Sequence, residues 1–352
     1  MKAVVGISGG MDSTAAAAIM LDRGFEVIGV HLRFFCSGEA EKRIERIASE
    51  LGISILSLDV ESLFNCKVRR PFFDDLRKGF TPNPCVICNE QVKFVSLVSV
   101  ARDLGAELVA TGHYARISSG LDEGAALLRG VDPEKDQSYM LYRIPVTILE
   151  KTCFPLGGIT KREVRAFCEE RFPGLFEGVG ESKDICFIPG RKLEETVELN
   201  AGPFIPGRIV TTSGEELGYH RGLYRYTIGQ RKGLSLSGGP WFVVEKRMSL
   251  NELVVGRQGD LVVEEVFCSD PVWHVEPVAG ERLNGCQRYR CRPYPCILEQ
   301  VDDRSFSCRF TEGVSGVAPG QSLVLYYNDR VYGGGIIERA EKGGPPGHED
   351  HR

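Results

Sequence analysis

The sequence has few of the features typical of a membrane protein, a secreted disulfide-rich protein or a protein that coats nucleic acid through a generally basic surface. Its 352 residues contain no apolar run near the ~20 residues of a membrane-spanning helix, and the N-terminus has no signal-peptide cleavage pattern. Only 2 tryptophans and 5 methionines occur, and 43 basic residues face 48 acidic ones, for a net charge of −5. We therefore expect a cytoplasmic globular protein without a membrane partner, in which any basic surface is local.

Cysteine is abundant, with 12 residues. The chain is long enough to bury a core without disulfide bonds, and without an export signal its thiols are expected to be reduced. Most are interpreted as small buried residues: Cys36, Cys66, Cys153, Cys168, Cys268, Cys286, Cys291, Cys296 and Cys308. The other three, Cys85, Cys88 and Cys186, lie in motifs that indicate chemistry.

The hydrophobic pattern divides the chain into an α/β part and a β-rich part. Strands are expected at 3–7, 25–32, 53–60 and 107–111, and helices at 14–21, 40–51, 92–104 and 160–172. Their alternation predicts a mainly parallel, Rossmann-like sheet that binds ligands at the carboxyl ends of its strands. The predicted domains are a catalytic domain over 1–200, a small β-rich domain over 201–264, a β-barrel over 265–340 and a disordered tail over 341–352.

The loop Ser8-Gly9-Gly10-Met11-Asp12-Ser13 connects the first strand to the first helix. Its glycines let backbone N–H groups approach a phosphate, its serines add hydroxyl donors, and the helix N-terminus adds partial positive charge. The loop lacks the lysine of a Walker motif. The alternative is an ordinary glycine-rich turn, but the full six-residue pattern favours phosphate binding.

The segment Thr81-Pro82-Asn83-Pro84-Cys85-Val86-Ile87-Cys88-Asn89 places a pair of thiols before the helix expected to begin near Val92. A thiol at a helix N-terminus has a lowered pKa, so Cys88 is predicted to form a thiolate. A zinc site is the alternative, but a second cysteine pair with matching spacing is missing from the sequence. Redox or sulfur chemistry is therefore the better interpretation.

Together, these motifs resemble those of the tRNA-specific 2-thiouridylases, the MnmA/TrmU family, within the PP-loop ATP pyrophosphatases. The resemblance runs over about residues 2 to 338. It rests on residues 8–13, 81–84, 88–89, 110–114, 132, 135–139, 154–157, 184–188, 218, 220, 222–223, 226–234, 240–241, 288–289, 319–321 and 333–335. One departure is Cys85, which replaces the aspartate common at that position.

The resemblance implies ATP-dependent 2-thiolation of the tRNA wobble uridine. In that reaction ATP adenylates the uridine O2, which makes AMP the leaving group when sulfur attacks C2. Cys186 would carry a persulfide, Cys88 would act as the nucleophile that resolves it, and Asp12 would orient Mg²⁺ or the phosphates. The implied ATP-binding residues are Gly6, Ile7, Ser8, Gly9, Gly10, Met11, Asp12, Ser13, Leu32 and Gly112.

The resemblance also implies a tRNA surface. Its expected residues are Asn83, Pro84, Cys85, His113, Lys135, Asp136, Gln137, Arg288, Tyr289 and Gln321. From Leu217 to Val244 there is no acidic residue, whereas Arg221, Arg225, Arg231 and Lys232 add positive charge. Such patches can bind phosphates and stack unpaired bases. The alternatives are a solvated strand face for this patch and a hydrogen-bonded loop histidine for His113.

Several alternatives remain open. Cys85, Cys88 and Cys186 could instead ligate a [4Fe–4S] cluster that delivers sulfur directly. The upstream sulfur donor protein is not named by the sequence. Other functions to exclude are an amide or guanidine ligase of the argininosuccinate synthetase kind, which would not need Cys88 and Cys186, and a noncatalytic tRNA-binding protein that senses ATP.

Overall fold

The computed structural model describes residues 1–35, 38–120, 124–178, 180, 185–188 and 193–343. Its described residues form two compact units. The first unit comprises Met1–Pro71, Pro84–Phe187 and Asp329–Val331. The second comprises Phe72–Asn83, Ile188–Asn328 and the described residues from Tyr332 onward.

The first unit is built on a parallel sheet with the strand order β3-β2-β1-β4-β7. Its strands are β1 (Lys2–Gly6), β2 (Glu26–Arg33), β3 (Ser54–Asp59), β4 (Leu108–Ala110) and β7 (Thr152–Cys153). The next strand in the chain, β2, pairs with one side of β1, and β4 pairs with the other side. The strand order therefore reverses between β1 and β4. In such sheets the crevice at the reversal point is the usual ligand site.

The sheet is packed against α1 (Met11–Asp22), α2 (Gly38–Leu51), α6 (Phe94–Asp103) and α8 (Val146–Leu149). The first unit also contains α3 (Glu61–Phe64), α5 (Pro84–Cys88), α7 (Ser138–Leu141) and α9 (Lys161–Arg171). The helix α4 (Arg70–Arg77) begins in the first unit and lies mostly in the second. Ala15 to Ala18 of α1 are fully buried, and their small side chains allow the helix to pack closely on the sheet. The Rossmann-like prediction is therefore confirmed.

The helix that follows the cysteine pair begins earlier than the sequence predicted. α5 starts at Pro84, π-helical residues Asn89–Lys93 continue it, and α6 ends it at Asp103. A proline fits the first helical position because its missing N–H needs no partner there. Cys88 therefore lies inside a continuous helical run and not before its first turn.

Of two further segments, one departs from the secondary structure expected from the sequence and the other agrees with it. The strands β5 (Ala115–Gly120) and β6 (Gly124–Arg129) form an antiparallel hairpin that was not among the strands expected from the sequence. The helix expected at 160–172 is confirmed as α9, and Thr160 is its N-cap. Thr160 and Glu163 form a reciprocal capping box, which local sequence alone can specify.

The second unit contains α10 (Leu193–Ala201) and a small sheet with the order β10-β11-β8-β9. Its strands are β8 (Gly207–Thr211), β9 (Glu216–His220), β10 (Phe242–Arg247) and β11 (Glu252–Gly256). Ile209, Val243, Leu253 and Val255 are fully buried and form its core. This sheet corresponds to the β-rich module expected in the middle of the chain.

A closed antiparallel barrel makes up the rest of the second unit. Its strands are β12 (Val262–Trp273), β13 (Arg282–Cys286), β14 (Tyr294–Val301), β15 (Ser305–Ser315), β16 (Ser322–Tyr327) and β17 (Arg330–Glu341). The order runs β12-β15-β14-β13-β16-β17, and β12 also pairs with β17, which closes the sheet. Glu341 belongs to β17, so the predicted disordered tail began too early. Residues 344–352 of that prediction lie outside the described residues.

Across the described residues, none of the helices combines the length and apolar character that crossing a membrane would require.

Candidate active site

The loop after β1 is shaped by hydrogen bonds among its own residues. The Ser13 hydroxyl donates to the Gly10 carbonyl at 2.9 Å and accepts from the Ser8 amide at 3.1 Å. Gly9 has a φ of +81°, a conformation that side chains disfavour. Gly10 precedes α1 and has no side chain to cap it. The first amides of α1 therefore lack intrahelical acceptors and are available to a phosphate.

Asp12 is bound by a pair of donors from distant parts of the chain. Its Oδ1 accepts from the Tyr114 hydroxyl at 2.7 Å and from Lys161 Nζ at 2.6 Å. Lys161 is only 11% exposed, whereas Asp12 is 36% exposed. A mostly buried ammonium group thus lies beside the predicted phosphate loop, where it can compensate added negative charge.

Lys161 was not among the site residues predicted from the sequence. It is the first residue of α9, next to the cap Thr160, and its amide donates to Asp132 Oδ2 at 2.9 Å. A lysine in the first helical turn opposes the helix dipole. That unfavourable placement is the local signal that could have indicated a functional lysine.

Gly112 supports the loop from the end of β4. A Cβ atom at this position would lie 2.7 Å from the backbone carbon of Asp12 and 2.8 Å from the Ser13 nitrogen. Only glycine fits so close to another backbone segment. Gly112, predicted as an ATP contact, therefore also fixes the position of the loop.

The remaining predicted ATP residues lie at the carboxyl ends of neighbouring strands. Gly6 ends β1, and the Ile7 amide donates to the Val30 carbonyl at 2.8 Å. Leu32 is buried in β2 near its carboxyl end. These residues share the sheet edge with the phosphate loop, as expected for a nucleotide crevice in this fold.

Three cysteines of the first unit, Cys85, Cys88 and Cys186, share one electrostatic neighbourhood. Cys85 and Cys186 are exposed, and Cys88 is buried. Phe187 packs edge-on against Phe64 with ring centroids 5.5 Å apart, which holds the backbone next to Cys186. Each of Cys88 and Cys186 interacts with Cys85 and with the charge of Lys93. The motifs that the sequence keeps about 100 residues apart thus meet in the fold.

The predicted thiolate at Cys88 is wrong for this structure. Burial raises the pKa of Cys88 to about 12, although the charge of Lys93 opposes that shift. Desolvation by the surrounding protein also raises the pKa of Cys186. The reason is that Cys88 lies well inside a helical run and is 6% exposed, so desolvation outweighs the helix dipole. Cys88 and Cys186 are therefore protonated thiols at neutral pH.

Other cysteines differ in burial. Cys168, Cys268, Cys286, Cys296 and Cys308 are buried, as predicted. Cys66 is exposed and Cys153 and Cys291 are half-buried, so the prediction was wrong for these three. Cys36 lies outside the described residues. In the described part of the chain, no group of three or more histidine, cysteine or acidic side chains is arranged to hold a metal, so the [4Fe–4S] interpretation is not favoured.

His113 is held by internal contacts. Its Nδ1 lies 2.8 Å from the Thr111 hydroxyl, and its ring stacks on Phe94 and meets Phe154 edge-on. Burial and, to a lesser extent, the charge of Lys93 together lower the pKa of His113 to about 3. A neutral, hydrogen-bonded loop histidine matches the alternative interpretation of this residue.

Some of the predicted tRNA residues also make internal contacts. The Tyr114 amide donates to Gln137 Oε1 at 3.0 Å, and Asp136 Oδ1 accepts from Gly130 and Ser138, each at 3.0 Å. Lys135 is half-buried. Asp136 and Gln137 thereby order the turn that presents Tyr114 to Asp12.

The second unit carries the other predicted tRNA residues. Arg288 is exposed, Tyr289 is half-buried, and the Arg290 guanidinium lies 5.1 Å from the Tyr289 ring. Gln321 donates to the Thr81 carbonyl at 2.7 Å, so its side chain joins the 72–83 segment to the barrel. Asn83 belongs to that same segment of the second unit, and Pro84 begins α5 in the first.

The basic patch expected between Leu217 and Val244 is smaller than the sequence indicated. Arg221, Arg231 and Lys232 are exposed. Arg225, however, pairs with Glu194 and covers the Phe204 ring at 4.9 Å. Its charge is therefore compensated within the protein.

Comparison with known proteins places the chain in the class described by three domain models, which combine an α/β nucleotide-binding fold with β-rich domains. Residues 1–190 match the tRNA methyl transferase HUP domain, residues 197–257 the tRNA methyl transferase PRC-barrel domain, and residues 263–337 the aminomethyltransferase beta-barrel domain.

Full-length relatives identify the family within that class. The chain is 40% identical to the tRNA-specific 2-thiouridylase MnmA of Geobacter metallireducens over 96% of this chain and 97% of that one. It is 38% identical to the protein of the same name from Geotalea uraniireducens, over 96% and 95%. With Carboxydothermus hydrogenoformans MnmA it shares 36% identity over 96% and 98%. The chain belongs to the tRNA-specific 2-thiouridylase family.

Proposed function

We propose that this protein is an ATP-dependent tRNA sulfurtransferase that converts the wobble uridine of tRNA to 2-thiouridine. The observation that carries the proposal is the presence, within the first unit, of both a phosphate-accepting loop and the Cys85, Cys88 and Cys186 group. The relatives are named for tRNA 2-thiolation, which agrees with this pairing. ATP activation and sulfur delivery are the steps that such a reaction requires.

In the first step, the uridine O2 attacks the α-phosphorus of ATP, and pyrophosphate leaves with the electron pair of the broken P–O bond. The loop from Ser8 to Ser13 would hold the phosphates through backbone amides and hydroxyls. Lys161 would offset the charge that develops on the departing pyrophosphate. Since Asp12 Oδ1 already accepts from Tyr114 and Lys161, the second carboxylate oxygen suits a hard cation. Mg²⁺ held there would supply further charge neutralisation.

In the second step, the terminal sulfur of a Cys186 persulfide attacks C2, and AMP leaves with the O2 atom. Cys88 then attacks the Cys186 sulfur, which leaves 2-thiouridine on the tRNA and a Cys88–Cys186 disulfide on the protein. An external thiol reductant returns the disulfide to thiols, and a sulfane-sulfur donor protein reloads Cys186. Because the Cys88 thiol is protonated in the free protein, it must lose its proton after substrate binds, and the Lys93 charge favours that loss.

The family descriptions refer to methyl transfer, whereas the relatives are named for sulfur transfer. Thiols at Cys88 and Cys186 are natural sulfur carriers, which favours sulfur transfer. The exposed Arg288, Arg231 and Lys232 side chains support an RNA substrate. A tRNA substrate in turn supports a cytoplasmic location.

The experiment follows AMP and 2-thiouridine separately with purified protein, tRNA, ATP and a persulfide donor. Cys186→Ser is expected to release AMP without forming 2-thiouridine. Asp12→Ala is expected to reduce AMP release at least about 100-fold. Cys66→Ser, which changes an exposed cysteine elsewhere, is the matched control and should retain both products. Full thiolation by Cys186→Ser would refute the persulfide assignment, and normal AMP release by Asp12→Ala would refute the role of the loop.

A further inference from the structure

A second pair of thiols lies in the barrel, outside the proposed reaction. Cys286 ends β13, and Cys291 lies five positions later, after a tight turn. Their sulfur atoms are 2.7 Å apart, and the Cys286 sulfur is also 3.1 Å from the Cys291 carbonyl oxygen. The pair is therefore already within the separation from which a bond can form without a large backbone movement.

The turn between these cysteines is held in place by Gln287. This side chain is buried, its Nε2 donates to the Ser315 carbonyl at 3.1 Å, and its Oε1 lies 3.3 Å from the Cys291 sulfur. Gln287 thus anchors the turn to β15 and orients Cys291 toward Cys286. The contact between the two thiols is therefore fixed by the packing of the barrel around Gln287.

The chemical environment distinguishes this pair from the other barrel thiols. The hydrogen bond with Cys286, the backbone amides of Arg288 and Gln287, and the Arg288 charge together outweigh burial and lower the pKa of Cys291 to about 7. In contrast, burial raises the pKa of Cys268 and of Cys308 well above the usual thiol range. Cys291 is also half-buried, whereas Cys268, Cys296 and Cys308 are buried. A reagent in solution should therefore reach Cys291 first.

We propose that Cys286 and Cys291 form a reversible intramolecular disulfide by exchange with small-molecule disulfides, with Cys291 as the attacking thiol. The Cys291 thiolate attacks one sulfur of the small disulfide, forms a mixed disulfide and releases the first small thiolate. Cys286 then loses its proton to solvent and attacks the Cys291 sulfur, which forms the Cys286–Cys291 bond and releases the second small thiolate. The protein gives up two electrons, and the small disulfide is reduced to two thiols. The new bond closes a ring that contains Arg288, Tyr289 and Arg290.

The test uses the full chain with Cys88→Ser and Cys186→Ser, so that the thiols of the proposed reaction do not compete. Oxidised glutathione is added to the reduced protein under native conditions, and products are identified by intact-mass and peptide mass spectrometry. In the expected product the peptides of Cys286 and Cys291 are linked, are together two hydrogen atoms lighter and carry no glutathione. The reaction rate should rise with pH through a midpoint near 7.

Matched single substitutions in that background separate the two thiols. Cys286→Ser should stop the reaction at a glutathione adduct on Cys291, whereas Cys291→Ser should lower the rate at Cys286 at least about tenfold. Cys296→Ser changes a buried barrel thiol and should leave the linked product unchanged. A stable adduct without a linked peptide in the protein that retains both barrel thiols, or equal labelling of Cys291 and Cys308, would overturn the proposal. None of these readouts depends on tRNA or ATP, so the proposal can fail independently of the proposed function.

Discussion

The charge state of individual side chains in the first unit is set by their surroundings. His113 illustrates this, because burial and, to a lesser extent, the nearby Lys93 charge together lower its pKa to about 3. The neutral ring stacks on Phe94 and is hydrogen-bonded to Thr111. A protonated imidazole at this position would be both desolvated and next to a positive charge.

The free energy of unfolding should therefore depend on pH through His113. The histidine side chain has a pKa near 6.5 in the unfolded chain. Below that pH the unfolded state therefore binds a proton that the folded state does not bind. The stabilising contribution is complete above pH 6.5 and is lost as the pH falls toward 3, by up to about 1.4 kcal/mol per pH unit. Urea unfolding of the wild type and His113→Gln from pH 7 to pH 4.5 measures this. Parallel pH dependences in the two proteins would contradict it.

A single added carbon should distinguish Gly112 from glycines that occupy open space. Gly112→Ala is expected to displace the backbone at Asp12 and to reduce tRNA-dependent AMP release at least about tenfold, because a small misplacement of the phosphate site is costly. Gly158→Ala is the control, since its Cβ would have no neighbour within 4 Å. AMP release is measured alongside circular dichroism. Equal activity in the two variants would show that the loop tolerates the shift.

At the scale of elements, the helical run from Pro84 to Asp103 is fixed by polar contacts on its π-helical segment. Asn89 donates to the Met140 carbonyl at 2.9 Å, and Arg143 Nε donates to Glu90 at 2.8 Å. Burial disfavours the charge on Arg143, but the hydrogen bond to Glu90, the charge of Glu90 and the interactions with Tyr142 together outweigh burial and raise the pKa of Arg143. Glu90 follows Cys88 by two residues, and its ion pair with Arg143 joins the helical run to the segment that follows α7.

Removing Arg143 should destabilise the first unit. Arg143→Met leaves the Glu90 carboxylate mostly buried without its partner and is expected to lower the free energy of unfolding by about 3–5 kcal/mol. Arg102→Met, at an exposed arginine of α6, should change it by less than about 1 kcal/mol. Denaturant unfolding measures both variants. A double variant with Glu90→Gln should recover part of the loss, and its failure to do so would argue against the unpaired charge as the cause.

At the scale of the whole molecule, a net charge of −5 coexists with exposed basic residues on the second unit. The segment between β9 and β10 exposes Arg231 and Lys232, and the turn after β13 of the barrel exposes Arg288. Because phosphate contacts release counterions, a small local patch is enough for tRNA binding even on an acidic protein. The pairing of Arg225 with Glu194 excludes that arginine from the patch.

The salt dependence of tRNA binding should report this distinction. Lys232→Ala and Arg288→Ala are each expected to weaken binding and to lower the slope of log K against log salt by about one counterion. Arg225→Ala should leave the slope unchanged, since its charge is compensated by Glu194. Filter binding or fluorescence anisotropy over a salt series gives the slopes. A reduced slope for Arg225→Ala would show that the ion pair opens on binding.

Local sequence was sufficient for much of the fold and for part of the site. The alternating strands and helices of the first 115 residues, the phosphate loop and the Thr160 cap depend on neighbouring residues, whose periodicity and short-range hydrogen bonds are readable from the chain. The hairpin of β5 and β6 and the early start of α5 were not predicted. Their local sequence signals are weak, and tertiary packing determines the conformation of these segments.

Only the tertiary structure decided how the candidate site is charged. Asp12 meets Tyr114 and Lys161, which lie 102 and 149 positions away, and no local pattern specifies such contacts. The raised pKa of Cys88, the neutralised Arg225 and the close contact of Cys286 with Cys291 likewise depend on burial and on partners that folding brings together. The physical reason is that residue identity sets which groups can ionise or react, whereas desolvation and neighbouring charges, which exist only in the folded chain, set whether they do.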